Sequence, residues 1–256
     1  MKLRLAAIAI GLAVIVALGI WAGSAPSGEH EIACYVTGLQ GRTPSQVHNL
    51  TLAARRIDGI VLQPGQVFSF VKHVGPWTAD MGYVKAPVSY DGELIRSWGG
   101  GVCQTSTTLY NAALLAGLKI LERHHHHWPA RYAPLGRDAA VAYSDIDLKF
   151  KNTLSAPVRI VSQVKGDKLA FRILSRCKPA STVEIESEVR TVTRPGQVVL
   201  ASAGTGGGRM KLVNRGHPGF CVATYRRFSG PRTSRRELVS EDSYPVMNRV
   251  VRMARR

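Results

Sequence analysis

Three consecutive glycines, Gly99-Gly100-Gly101, stand directly before Val102-Cys103-Gln104 and a run of small residues that reaches Ala113. Residues without a Cβ let a backbone bend tightly and pass close to a neighbour. The residues after Cys103 have helical spacing: Leu109, Ala112, Ala113 and Ala116 fall on one face, and Gly117 supplies a stop. The pattern predicts a sharp turn feeding a helix that begins near Cys103. A thiol at a helix start faces unpaired N–H groups and the positive end of the dipole, which favour thiolate.

The rest of the chain is punctuated by Gly and Pro into short segments. Thr43 as N-cap, Pro44 at N1 and Gln46 as the capping-box partner start another helix; Val47, Leu50, Ala54 and Ile57 form its stripe and Gly59 its end. The sequon Asn49-Leu50-Thr51 falls inside that helix, so it is read as accidental. Residues 60–70 give two short strands around Pro64-Gly65, and residues 86–95 a hairpin around Asp91-Gly92. Leu118 to Trp128 alternates like a strand, with Leu118, Ile120, Glu122, His124 and His126 on one face. Residues 137–152 read as a further strand or hairpin, and residues 157–174 as two strands around Gly166-Asp167. After Cys177 the chain reads as β-ribbons, with residues 203–209 as a Gly-rich loop that lacks the succeeding helix a phosphate cradle needs.

These segments predict an α+β fold: a mixed helix and sheet core at 28–176, a β-rich extension at 177–256, and an N-terminal membrane anchor or signal segment at 1–27. Lys2 and Arg4 precede an uncharged run from Leu5 to Ala22, long enough to span a bilayer. Charges in that position send the rest of the chain outward. Residues 23–33 read as a linker. The expected location is extracytoplasmic, either membrane-anchored or secreted. Lys and Arg number 34 against 17 Asp and Glu, a net charge of +17. Such a surface suits anionic lipid, wall polymer or nucleic acid, and export removes the last. The Arg-rich stretch from Arg226 to Arg256 reads as a solvated basic face. Export also permits disulfides. Of Cys34, Cys103, Cys177 and Cys221, the first does not fit a lipoprotein site. Cys103 stands apart and is expected free, and Cys177–Cys221 is the favoured pair beside an all-reduced alternative.

The segment GGGVCQTSTTLYNAALLAGLKILERH resembles the signature of the VanW-like family. The likeness extends upstream through ARRIDGIVLQPGQVFSF and VGPWTADMGYVKAPV, and downstream through Gly136-Arg137-Asp138-Ala139 and residues 147–152. The resemblance implies a bacterial envelope protein without naming a reaction, and it implies a histidine at the position of His126.

Two functions are compatible with the residues. In the enzymatic one, Cys103 attacks a carbonyl of a peptidoglycan peptide or related wall polymer, and His126 or His124 is the base. Asp138, Asp147 or Asn152 orients that base, and N–H groups near Gly101–Gln104 hold the oxyanion. In the rival, a non-catalytic binding or scaffold module, Gly99, Gly100, Gly101, Gln104 and Thr105 recognise a carboxylate or sugar. The run His124–His127 has no second cluster at ligand spacing, so neither metal nor other cofactor is expected. Trp77, Tyr83, Trp98 and Tyr110 flank the motif as sugar-stacking or core aromatics, Tyr110 being read as core.

Overall fold

The computed structural model describes residues 28–90, 93–143, 145–202, 210–231 and 233–254. The expected anchor or signal segment and the loop at 203–209 lie outside these. Among the described residues no helix is long and apolar enough to cross a membrane.

In chain order the elements are β1 (His30–Gly38), α1 (Pro44–Ile57), β2 (Val61–Leu62), β3 (Val67–Ser69), α2 (Phe70–Val74), β4 (Lys85–Tyr90) and β5 (Glu93–Trp98). Then come α3 (Val102–Leu115), β6 (Lys119–Glu122), β7 (Lys149–Lys151), β8 (Val158–Lys165) and β9 (Lys168–Ser175). The remainder is strand: β10 (Thr182–Thr193), β11 (Gln197–Ser202), β12 (Met210–Asn214), β13 (Gly219–Gly230), β14 (Thr233–Tyr244) and β15 (Arg249–Ala254). The fold is mixed, with strands outweighing helices. Sheet order is β1-β9-β8-β2 in the largest sheet, β3-β7-β6 in a small one and β4-β5 in a hairpin. The C-terminal strands form β10-β13-β14 and β11-β15-β12.

Local chemistry explains the well-placed elements. Thr43 accepts from the Gln46 N–H while the Gln46 side chain reaches back to the Thr43 N–H, closing the capping box of α1. Asn49 is wholly buried and spends its amide on Val84 and Gly100, which rules out its sequon as a surface acceptor.

Four expectations are corrected. The stretch 23–33 is not all linker, because His30 onward is β1, an edge strand paired along its length with β9. Leu118 to Trp128 is not one strand. Its ladder with β7 loses register between Ile120 and Glu122 and ends there, beyond which His124 makes a lone bridge to Ala140. No Cys177–Cys221 bridge forms, and the four cysteines are free. Cys177 precedes the end of the C-terminal ribbon where Thr182 faces Ser229, whereas Cys221 faces Thr191 toward the other end. Roughly eight strand residues, about 26 Å, separate those positions. Arg226 is not part of a solvated face: it is 7% exposed, donates to the carbonyls of Leu114 and Leu118, and pairs with Glu237.

Helix α3 runs through the centre of the core. Leu109, Tyr110, Ala112, Ala113 and Leu114 are fully buried, as are the polar Thr105, Ser106, Thr107, Thr108 and Asn111. Buried hydroxyls and amides need partners, and these have them. Thr105 donates to Leu50 O, and Thr108 meets Thr37. Ser106 donates to Ala139 O at 2.7 Å; Thr107 accepts from Ala139 N at 2.9 Å; Asn111 donates to Arg137 O and accepts from Arg137 Nε. One face of α3 thereby grips the backbone of residues 137–139. The glycines set the helix start: Gly101 has φ +107°, and a Cβ there would lie 2.5 Å from Gln46 O.

Replacing Thr107 with Val keeps the volume but leaves the buried Ala139 N–H without its acceptor. The expected loss is about 1–3 kcal/mol of unfolding free energy, read as a lower urea midpoint at unchanged slope.

Candidate active site

The grip of α3 on residues 137–139 places Asp138 under the histidine run. Asp138 is 1% exposed. Its Oδ2 accepts twice from His126, from the backbone N–H at 2.7 Å and from ring Nδ1 at 2.6 Å. With Nδ1–H committed to the carboxylate, Nε2 is the nitrogen left for Cys103, and the two side chains lie close enough for each to shift the other's ionisation. Cys103, in the first turn of α3, is half-buried and also lies 3.5 Å from Val141 O. A thiol, an imidazole and a carboxylate therefore stand in line in the geometry of a nucleophile–base–orienter relay.

The electrostatics reflect that line. Burial alone would push the Cys103 thiol up, but the hydrogen bond and charge of His126 outweigh it and hold the thiol below its ordinary 9.0. Burial would likewise lower His126, yet its bonds to Asp138 and Cys103 raise it from 6.5 to about 10. Asp138 is depressed to about 2, because its hydrogen bonds and the His126 charge overcome burial. The arrangement favours thiolate–imidazolium over the neutral pair. Cys34 shows the contrast: burial and Glu31 push it up to about 11, and no histidine opposes them.

A second layer holds Asp138 from its other oxygen. Tyr244 at the end of β14 donates to Asp138 Oδ1, and burial together with that carboxylate keeps the phenol protonated. Arg123 donates from Nε to Asp138 O at 2.6 Å and from Nη1 to Asp242 Oδ1. Gly136 is locked in the same place, its N–H donating to Tyr244 Oη and its carbonyl accepting from Thr224. Sequence reasoning placed no role on Tyr244, Asp242 or Arg123. Their contribution depends on β13 and β14 folding back over residues 123–139, and no local pattern encodes that.

Other expected site residues lie elsewhere. His124 is on the surface against Glu122, His125 turns to Tyr244 and His127 to Trp128. Asp147 caps α2 through Ser69 and Val71, and Asn152 braces Leu62 and Ala156. Thr105 spends its hydroxyl inside the core. Gln104 is 1% exposed; its Nε2 donates to Thr37 and Gly38 O, and its Oε1 accepts from Arg42. The three glycines have packing reasons: a Cβ would meet Trp77 at Gly99, Pro87 O at Gly100 and Gln46 O at Gly101. Tyr83 and Tyr110 are core, while Trp98 stays 42% exposed under Lys85.

Two predictions come from this geometry. Alkylation of Cys103 by iodoacetamide, followed against pH by peptide mapping, is expected to begin below pH 9 and to change again near pH 10 as the imidazolium loses its proton. His126→Ala removes the larger influences that oppose burial, so the onset moves up; Asp138→Asn lowers the upper transition. In Tyr244→Phe, Asp138 loses a buried charge-assisted bond. Stability is then expected to fall by about 1.5–3 kcal/mol, and the carboxyl, followed by NMR titration, to rise from about 2.

A family model described as VanW like protein matches residues 45–174, just over half of the chain. The uncharacterized protein YoaR of Bacillus subtilis (strain 168) is 38% identical over 145 residues, 57% of this chain and 48% of its own length. Vancomycin B-type resistance protein VanW of Enterococcus faecalis (strain ATCC 700802 / V583) is 29% identical over 146 residues, 55% of this chain and 53% of its own. The chain thus spans about half the length of these curated relatives. Among solved structures, an IgA1 protease G5 domain is similar over 30% of this chain and 95% of its own, at 19% identity and a TM-score of 0.23. Cys103, His126 and Asp138 all fall within the matched residues, whereas Tyr244 and Asp242 lie after them, and on that match the chain belongs to the VanW-like protein family.

Proposed function

We propose that this chain is an extracytoplasmic acyl-transfer enzyme that uses Cys103 as nucleophile on a peptide of the bacterial wall or a related polymer. The observation that carries the reading is the Cys103–His126–Asp138 line, with a depressed thiol beside a raised imidazole. The envelope setting is supported by the uncharged run after Lys2 and Arg4, by the net charge of +17, and by a relative whose name is that of a vancomycin resistance protein.

In the proposed reaction the Cys103 thiolate attacks an acyl carbon. A Sγ–C bond forms as the bond to the leaving amine or hydroxyl breaks, and the His126 imidazolium gives its proton to that leaving group. Water or an acceptor amine then attacks the thioester. His126 takes up the proton, and the thiolate departs. Val102 N–H and Gln104 N–H are bonded to Gly99 O and Gly101 O. The Cys103 N–H is the donor in this turn suited to the developing oxyanion. A purely binding role is less well supported, because the polar groups of Gln104 and Thr105 are used within the protein.

The test is incubation of the full chain with peptides released from bacterial peptidoglycan, followed by intact-mass spectrometry. A hydroxylamine-sensitive adduct on Cys103 is expected. Turnover in Cys103→Ala and His126→Ala is expected to fall by roughly 10³-fold or more. Undiminished turnover in Cys103→Ala would falsify the proposal.

A further inference from the structure

We infer that Arg42 forms a carboxylate-binding subsite beside Cys103, so that the acyl donor taken there carries a carboxylate close to the bond that breaks. This rests on the acyl-transfer reading and narrows its substrate class. Arg42 ends the loop between β1 and α1, one residue before the Thr43 cap. Its Nε donates to Gln104 Oε1 at 2.7 Å, and Gln104 is the residue after Cys103 in α3. Gln104 is itself fixed by Thr37 and Gly38, so the guanidinium is held from inside the core. On its other side the guanidinium lies 4.7 Å over the Tyr132 ring, and Tyr132 meets the His126 ring edge-on at 6.4 Å. Arg42 is therefore tied to one neighbour of the nucleophile and, through Tyr132, to the base.

Arg42 shares with Arg137 the lack of a carboxylate partner among the described residues, but Arg137 is buried in the core with its Nε on Asn111, whereas Arg42 is half-buried beside the residue that follows the nucleophile. Arg123, Arg159, Arg172 and Arg226 each face a carboxylate. Among the described residues no carboxylate pairs with Arg42, although it is half-buried and burial works against its charge. A partly desolvated cation with no carboxylate partner, offset only by Tyr132 and the Cys103 thiolate, is costly. The bond to Gln104 uses Nε, and among the described residues neither Nη group has a hydrogen-bond partner; together they are the planar fork that takes a carboxylate through two parallel bonds. A guanidinium fixed on two sides, with its Nη fork unused among the described residues, suits an anion of that shape.

The experiment compares alkylation of Cys103 by iodoacetate, which carries a carboxylate, with alkylation by iodoacetamide, its neutral amide. In Arg42→Gln the iodoacetate rate is expected to fall about tenfold more than the iodoacetamide rate, the effect of one charged pair. Arg42→Lys is expected to fall part-way, and Arg55→Gln, which removes one positive charge elsewhere on α1, to leave the ratio of the two rates as it is. Equal falls for both reagents in Arg42→Gln would mean that Arg42 only supports the thiolate, and an unchanged ratio would mean that it meets no anion; either overturns the subsite. Full retention by Lys would overturn the forked recognition. The unmodified protein gives an independent check: N-acetylalanine should protect Cys103 from iodoacetamide, and N-acetylalanine amide should not. Equal protection by both, or none, also counts against the proposal. An alkylation onset above pH 9 would instead overturn the nucleophile reading while the ratio of rates still reports on Arg42.

Discussion

The arrangement of this protein depends on the grip that α3 takes on the backbone of residues 137–139. A buried helix face made of Ser106, Thr107 and Asn111 has no value as apolar surface and would be costly if left dry. Its worth lies in direction. Each hydroxyl or amide fixes a particular carbonyl or N–H of the facing strand-like segment. Leucine and valine at these positions would bury area without choosing which residue stands opposite Cys103. Polar pairing chooses, and it chooses Asp138.

From that constraint the site assembles outward. Asp138 orients His126, His126 meets Cys103, and Tyr244 with Arg123 holds Asp138 from behind. The carboxylate is thus shared between the half of the chain that matches the family and a strand beyond it. The C-terminal ribbon is joined to the core by Arg226, which reaches the carbonyls at the end of α3. One helix is therefore fixed near both ends, by the 85–101 region at its start and by β13 at its finish.

What could be read in the sequence was local. The capping box at Thr43, the glycine stop after Ile57, the tight turns and the helix after Gly101 are properties of neighbouring residues. The sequence also placed a thiol at a helix start and offered a histidine and an aspartate in the right order. It could not choose between His124 and His126, because the alternation that would share a face between them breaks after Glu122. It read Gln104 and Thr105 as part of a candidate ligand surface, although both face inward, to Thr37, Gly38 and Leu50. It assigned Cys177 and Cys221 to each other by proximity in sequence, which the long ribbon between them defeats. β1 went unseen because an edge strand draws its identity from its partner.

The bond between Tyr244 and Asp138 closes a loop of 106 residues. A chain made from its N-terminus carries its thiol, imidazole and carboxylate clear of the ribosome before the phenol that secures them. The order of synthesis thus becomes an order of assembly: the relay is tightened only when β14 has arrived. β14 thus acts as a timer for the moment at which Asp138 is held from both of its oxygens.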